Sequence, residues 1–294
     1  MNPHPDTGFA KAMEWNNDGA MHLKKANYGM AIKSFETAFQ LFHKAYKAAK
    51  QHGVWQKEQI SPASSTAVSC SVNLDQLFSW SSSRRDAVQG GHHQVLSYQH
   101  PVELPPDFPI TDSCCGFLSM SISLNLAMAY HLLGIVEETN DTDVTSNSMS
   151  QLPRRHLTSA ARYYEYTIKL VRTQISATTT GAPLQPCFSR FAIMVILNNL
   201  GQLQGLLGNK AYSRQCYEQL QKTLLFTMVQ QEQPCSESSS RNMEQPDRIE
   251  DEAHQQPANP AQHVSIPSHD LEIFFENVAL GLGLDSWKQT ASAA

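Results

Sequence analysis

A short pattern of residues recurs four times along the chain, at long and unequal intervals. In each copy an asparagine precedes a small residue by two positions. In three copies a further small residue follows, with an aromatic residue four positions after it. Residues four apart lie on one face of an α-helix, so each copy predicts two helices in close contact. The asparagines and their small residues are Asn17 and Gly19, Asn125 and Ala127, Asn199 and Gly201, and Asn277 and Ala279.

Helical hairpins of this kind predict an all-α fold of stacked units. A single hairpin cannot bury its apolar stripe alone, whereas neighbouring hairpins bury it between them. The small residue on each helix lets its partner approach, and the aromatic residue fills the remaining space. The small and aromatic pairs on the second helices are Ala31 and Phe35, Ala160 and Tyr164, and Ser213 and Tyr217.

The first copy resembles the tetratricopeptide repeat. That family's spacing is matched by Trp15, Gly19, Tyr28, Ala31, Phe35 and Ala38. The Asn-Asn-Leu-Gly form of the third copy is similar to the variety in kinesin light chains. The resemblance implies an α-solenoid of about three antiparallel hairpins with a C-terminal capping helix. Since the family period is about 34 residues, the wider spacings here imply long insertions.

The hydrophobic pattern divides the chain into helical units and polar stretches. The predicted units are a hairpin over 9–51, a second over 113–176 with an internal loop at 139–153, a third over 187–231, and a capping helix over 270–284. Asp270 is expected to cap that last helix. The stretches 52–112 and 233–268 are rich in polar residues and proline, so we expect them to be largely disordered.

One part of the first insertion is more apolar than a linker requires. The runs 94–98 and 102–104 are predicted to be extended, and we expect this part to dock on the hairpins. Whether it occupies the inner face of the stack is open at this point. If it does, the protein would block its own face until a partner displaces the segment.

The row of asparagines has two interpretations. A carboxamide donates and accepts hydrogen bonds at once, so a row of them could hold an extended peptide backbone. The resemblance to tetratricopeptide proteins implies this peptide-binding role. Alternatively, the amides fix the stacking of the helices. Helical spacing adds further residues to the candidate peptide-binding face of Asn17, Asn125, Asn199 and Asn277, namely Lys24, Met128, His131 and Gln202.

Patterns typical of catalysis or of metal binding do not occur. The chain has no P-loop, no G-x-S-x-G and no H-E-x-x-H, and its six cysteines include no C-x-x-C spacing. His92, His93 and His100 have no cysteine at zinc spacing. We therefore expect no catalytic residues, no cofactor and no metal.

Charge and hydropathy limit the classes of partner and the cellular compartment that we expect. A net charge of −5 does not indicate the basic surface that is typical of nucleic-acid binding. No uninterrupted apolar run approaches the roughly 18 residues of a membrane helix. The first residues lack the basic and apolar regions of a secretory signal. We expect a cytoplasmic or nuclear protein whose cysteines are reduced.

These observations favour a non-enzymatic scaffold or adaptor that binds an extended peptide or protein segment on its inner face. Two alternatives stay open. The helical stack could be a structural element that assembles with other copies through its ends. The chain could also be an enzyme with an unrecognised site around His131 and the cysteines.

Overall fold

All regular elements within the described part of the chain are α-helices. The structure, a computed structural model, describes residues 5–51, 99–105, 108, 112–140, 151–177, 186–232 and 268–283. These ranges contain seven helices and no strand, which confirms the predicted all-α class. The helices are α1 Pro5–Lys24, α2 Tyr28–Gln51, α3 Asp112–Asn140, α4 Gln151–Ala177, α5 Pro186–Leu206, α6 Lys210–Glu232 and α7 Ser268–Leu282.

Consecutive helices pack in pairs. Helix α1 packs on α2, α3 on α4 and α5 on α6, while α7 packs on α6. Each pair also contacts the next, through α2 with α3 and through α4 with α5. The first helices of the first two pairs, α1 and α3, touch as well. Because α1 and α3 are neighbours, side chains from both can reach one common surface.

In the first and third helix pairs, a glycine on one helix lies against a large aromatic side chain of the other. A Cβ atom at Gly19 would lie 2.6 Å from the ring of Phe35, and one at Gly201 would lie 2.9 Å from the ring of Tyr217. Real Cβ atoms do not approach other atoms so closely, so a larger residue would force the helices apart. The repeated spacing of small and aromatic residues therefore reflects direct contact between the two helices of a pair.

An aromatic group joins the first pair of helices to the second. The Tyr130 hydroxyl donates to Glu36 Oε1 at 2.6 Å. The Tyr130 ring stacks on Tyr163 with 5.9 Å between centroids, and Phe39 meets Tyr163 edge-on. Burial, with the nearby Glu36 carboxylate, raises the pKa of Tyr130, so its hydroxyl keeps its proton. These contacts fix α3 relative to both α2 and α4.

Helix α7 begins earlier than the sequence suggests. It starts at Ser268, so Asp270 lies inside its first turn and the assignment of Asp270 as N-cap is wrong. At the other end Gly283 has a φ of 69°, a conformation that glycine adopts without strain. Helix α7 accordingly ends at Leu282.

The helices on both sides of the expected loop 139–153 extend into that range. Helix α3 runs to Asn140 and α4 starts at Gln151. Pro153 is the third residue of α4. Proline is tolerated there because the N–H groups of the first turn have no partner within the helix.

Helix α3 contains a long apolar stretch. Cys114–Thr139 is long enough to cross a membrane and includes an 18-residue window with a mean hydropathy of 1.4, although the sequence contains no uninterrupted apolar run of that length. In the structure 78% of that window is buried against the rest of the chain. Packing in the interior of the helical array accounts for its apolar composition.

The expected disordered insertions lie outside the described residues. This applies to 52–98 and to 233–267. His92 and His93 fall in the first of these ranges. Only the end of the first insertion, residues 99–105 with Phe108, belongs to the described structure.

Candidate functional site

Two asparagines on neighbouring helices hold the backbone of residues 99–105. The N–H of Val102 donates to Asn125 Oδ1 at 2.7 Å, and Asn125 Nδ2 donates to the Val102 carbonyl at 2.8 Å. The N–H of Leu104 donates to Asn17 Oδ1 at 2.9 Å, and Asn17 Nδ2 donates to the Leu104 carbonyl at 2.7 Å. Each carboxamide thus satisfies both backbone polar groups of one residue.

The spacing of these contacts describes an extended segment. In a strand, the N–H and C=O groups of alternate residues point to the same side. Val102 and Leu104 are alternate residues, and both turn their backbone groups toward the asparagines. The two carboxamides replace the neighbouring strand that such a backbone would pair with in a sheet. We call α1, α3 and their contacts with 99–105 the strap face, and residues 99–105 the strap.

A third asparagine, Asn16, contacts both the strap and Asn125. Asn16 Nδ2 donates to the Val102 carbonyl at 3.0 Å, and its Oδ1 accepts from Asn125 Nδ2 at 3.0 Å. Asn16 and Asn125 are both fully buried. A carbonyl has two lone pairs, so the Val102 oxygen accepts from both side chains. Asn16 is not among the residues predicted for this face, and its only signal in the sequence is that it adjoins Asn17.

Apolar side chains anchor the strap. Val102 is fully buried and Leu104 is 2% exposed. Beyond them the Phe108 ring packs on Phe117 with 5.5 Å between centroids, and the Phe108 N–H donates to the Pro105 carbonyl at 3.0 Å. Burying one such side chain contributes about 1.5–3 kcal/mol. The strap is therefore held by apolar burial as well as by hydrogen bonds.

An ion pair lies beside these contacts. Lys24 Nζ is 2.8 Å from Glu103 Oε2, and both side chains are more than one third exposed. Exposed pairs contribute little to stability. Burial and then the positive charge of Lys24 lower the pKa of His100. Lys24 thus sits at the strap, where its charge influences both Glu103 and His100.

The other two asparagines of the row join helices. Asn199 Nδ2 donates to the Tyr164 hydroxyl of α4 at 3.0 Å. Asn277 Nδ2, on α7, donates to Asn198 Oδ1 of α5 at 2.7 Å, and Asn198 Nδ2 donates to Asn199 Oδ1 at 3.1 Å. Asn17 and Asn125 thus contact the backbone of residues 99–105, and Asn125 also joins α3 to α1 through Asn16, whereas Asn199 and Asn277 contact other helices. Binding of a partner peptide by this row stays a prediction.

The remaining residues of the candidate face lie in different surroundings. Met128 is fully buried and Gln202 is half-buried. His131 is fully buried, both its ring nitrogens lack a hydrogen-bond partner, and its ring meets Tyr164 edge-on. Burial lowers the pKa of His131 to about 3, so the imidazole is neutral at pH 7. A role of these three residues in peptide binding stays a prediction.

Among the described residues, three cysteines are buried in helices. Cys114 and Cys115 lie inside α3, which begins at Asp112. Cys216 is also buried, and burial together with the charge of Glu165 raises the pKa of its thiol to about 12. Thiols in such surroundings are poor nucleophiles at neutral pH.

A separate depression lies where α3 meets α4. Its volume is about 680 Å³, and Arg154, Arg155 and Arg162 line it together with His156. The Nδ1 atom of His156 is 2.8 Å from Glu137 Oε2. Among the described residues no hydroxyl or thiol donates to that imidazole, and no group of three or more His, Cys, Asp or Glu side chains could hold a metal ion.

Comparison with known proteins adds no relative. No protein-family model, no curated protein and no solved structure matches the chain.

Proposed function

We propose that the chain is a non-enzymatic scaffold or adaptor that binds an extended segment of a partner protein on the strap face. The observation that carries this proposal is the set of four hydrogen bonds, two in each direction, between Asn17 and Leu104 and between Asn125 and Val102. Backbone groups are common to all residues except proline, which lacks the N–H. The same carboxamides therefore suit an extended segment of another chain.

The proposal includes the finer architecture. The helix pairs would form a tetratricopeptide-like solenoid of about three repeats, with α7 as the cap. The chain of contacts from each pair to the next supports it, as do the glycine and aromatic contacts inside the first and third pairs. Neighbouring first helices in such a stack present one continuous face, which is where Asn17 and Asn125 meet the strap.

In this proposal the strap competes with the partner. Its hold consists of three buried residues, Pro101, Val102 and Leu104, together with the amide contacts and one exposed ion pair. Each hydrogen bond contributes only about 0.5–1.5 kcal/mol net, because water takes its place on release. Local opening of such a segment costs less than unfolding of the whole protein. A partner that makes the same contacts could then take the place of the strap.

A library of random displayed peptides would test the proposal. The target is the full chain with Val102→Ser/Leu104→Ser, which weakens the strap by removing its apolar anchors. A second target carries Asn17→Ala/Asn125→Ala in addition, and a third carries Asn277→Ala instead. We expect peptides that bind the first and third targets but not the second. Circular dichroism must show equal helicity for all three.

Two results would contradict the proposal. Recovery of no peptide from the first target would mean that the strap is a fixed part of the fold. Peptides that bind all three targets equally would place binding elsewhere on the surface. In either case the asparagines on α1 and α3 would serve the fold alone.

A second candidate function, assembly with other copies, is favoured by an exposed apolar patch on α6. Leu225, Phe226 and Val229 are 52%, 53% and 56% exposed. Large apolar side chains grouped on one helix are typical of contact surfaces. Sedimentation at several concentrations would test this function. A mass that rises with concentration, and falls back with Leu225→Glu/Val229→Glu, would support it, and a constant monomer mass would exclude it.

A further inference from the structure

Consecutive positions of the strap meet different requirements on the strap face. Positions 102 and 104 must supply an N–H group, because Asn125 and Asn17 accept from them. Their side chains must be apolar, because Val102 and Leu104 are buried. Position 103 lies between them, partly exposed. The face therefore distinguishes residues by position as well as holding the backbone.

The flanking prolines fit this alternation. Pro101 and Pro105 occupy the positions on either side of the bound residues. Only positions 102 and 104 donate an N–H to the asparagines, so the missing N–H of a proline costs nothing at 101 or 105. A proline at 102 or 104 would remove a required donor. Proline also favours an extended conformation in the residue before it, which for Pro105 is Leu104. The two prolines thus prepare the strap for binding and reduce the conformational entropy that binding costs.

The acidic residue at the centre matches a positive charge on the face. Glu103 lies between the two anchors, and its carboxylate is 2.8 Å from the Lys24 ammonium group. Because both groups are partly exposed, the pair adds little affinity. Its effect is on selectivity, since a basic residue at position 103 would face Lys24 with like charge.

We infer that the partner segment accepted by this face has the pattern proline–apolar–acidic–apolar–proline, in an extended conformation. Its apolar residues would occupy the sites of Val102 and Leu104, and its acid would lie beside Lys24. This inference rests on the proposed function and adds side-chain selectivity to it. The ligand class is an acidic, proline-flanked segment of another protein, and the strap is the chain's own example of it.

Defined peptides would test the selectivity. A labelled synthetic peptide of residues 99–109 is titrated onto the full chain with Val102→Ser/Leu104→Ser, and binding is read from fluorescence anisotropy. The matched control peptide exchanges Pro101 with Val102 and Leu104 with Pro105, which keeps composition and charge but removes both N–H donors. We expect the control to bind about tenfold more weakly or worse, since it lacks both N–H groups from which the asparagine oxygens accept.

A charge exchange tests the central position. The peptide with Glu103→Lys should bind the same target about three- to fivefold more weakly than the unchanged peptide. Adding Lys24→Glu to the target should reverse that order. Such a reversal cannot come from a change in folding, because both peptides meet the same protein.

The outcomes separate this inference from the proposed function. If the control peptide binds as tightly as the strap peptide, or if the charge exchange changes nothing, the selectivity is wrong while backbone binding stands. If no strap peptide binds although library peptides need Asn17 and Asn125, the inference alone is wrong. If neither kind of peptide binds, both are overturned.

Discussion

The carboxamide of Asn125 forms a two-way hydrogen-bonded pair with the backbone of Val102, at 2.7 Å from the Val102 N–H and 2.8 Å to its carbonyl. Both residues are fully buried. One side chain thus does for one residue what a neighbouring strand does in a sheet. The pair joins the strap to α3. Asn17, on α1, forms the same arrangement with the backbone of Leu104.

Replacement of Asn125 should loosen the strap. Asn125→Ala leaves the buried N–H of Val102 without an acceptor, which costs about 1–3 kcal/mol. We expect amide hydrogen exchange at Val102 and Leu104 to accelerate by about tenfold or more. Hydrogen-exchange mass spectrometry on peptides that cover 99–105 would measure it.

The matched control for this experiment is Asn277→Ala. Asn277 is also a buried asparagine of the row, but its amide donates to Asn198 on α5. It should lower the stability of the helical array and leave exchange in the strap unchanged. Equal protection of the strap in wild type and Asn125→Ala would show that the contacts of Asn125 do not hold it.

Two glycines allow a direct test of helix packing. Gly19→Ala would place a Cβ 2.6 Å from the Phe35 ring, so we expect a loss of about 1–3 kcal/mol in the free energy of unfolding. Gly29, in the first turn of α2, has no atom within 4 Å of the added Cβ. Gly29→Ala should therefore be neutral or stabilise by up to about 1 kcal/mol. Urea denaturation would compare them, and equal effects would disprove the close contact at Gly19.

His131 should make stability depend on pH. Burial lowers its pKa to about 3 from 6.5. Below pH 6.5 the unfolded chain takes up a proton at His131 that the folded protein does not, so the free energy of unfolding falls as the pH drops from 6.5 toward 3. His131→Leu removes this uptake and two unpartnered ring nitrogens.

We expect His131→Leu to be at least as stable as wild type at pH 7.5 and to lose less stability at pH 5. Urea midpoints at the two pH values would show it. Burial also lowers the pKa of His43 and His100, but these groups are present in both proteins and cancel in the comparison. Parallel pH profiles would contradict the assignment.

The thiol of Cys216 should react only when the protein opens. With a pKa of about 12 and 2% exposure, it has almost no accessible thiolate at pH 8. Alkylation by iodoacetamide, read by mass spectrometry of the peptide that contains Cys216, should be far slower than in urea. The native rate should rise along the unfolding curve. Rapid labelling of the folded protein would place the thiol at the surface.

The sequence predicts those parts of the structure that depend on short-range patterns. The spacing of Gly19 and Phe35 within one hairpin is set by helical periodicity, and the structure shows their contact. Which asparagines contact the strap and which contact another helix depends on residues that are far apart in the sequence. Asn17 meets Leu104 across 87 positions in the chain, and no local pattern fixes that distance. The sequence pattern does not give the start of α7 at Ser268, because the position of a helix cap depends on the backbone geometry at one residue.

The short connection from the strap to α3 has a consequence for any competitor. Only residues 106–111 separate Pro105 from α3, so a released strap stays close to its own site. Tethers of this length give an effective local concentration of about 1 mM. A partner at about 1 μM would then need an intrinsic affinity about a thousandfold above that of the strap to occupy half of the sites. Weak encounters would be rejected, and only a ligand that adds contacts beyond those of the strap would remain bound.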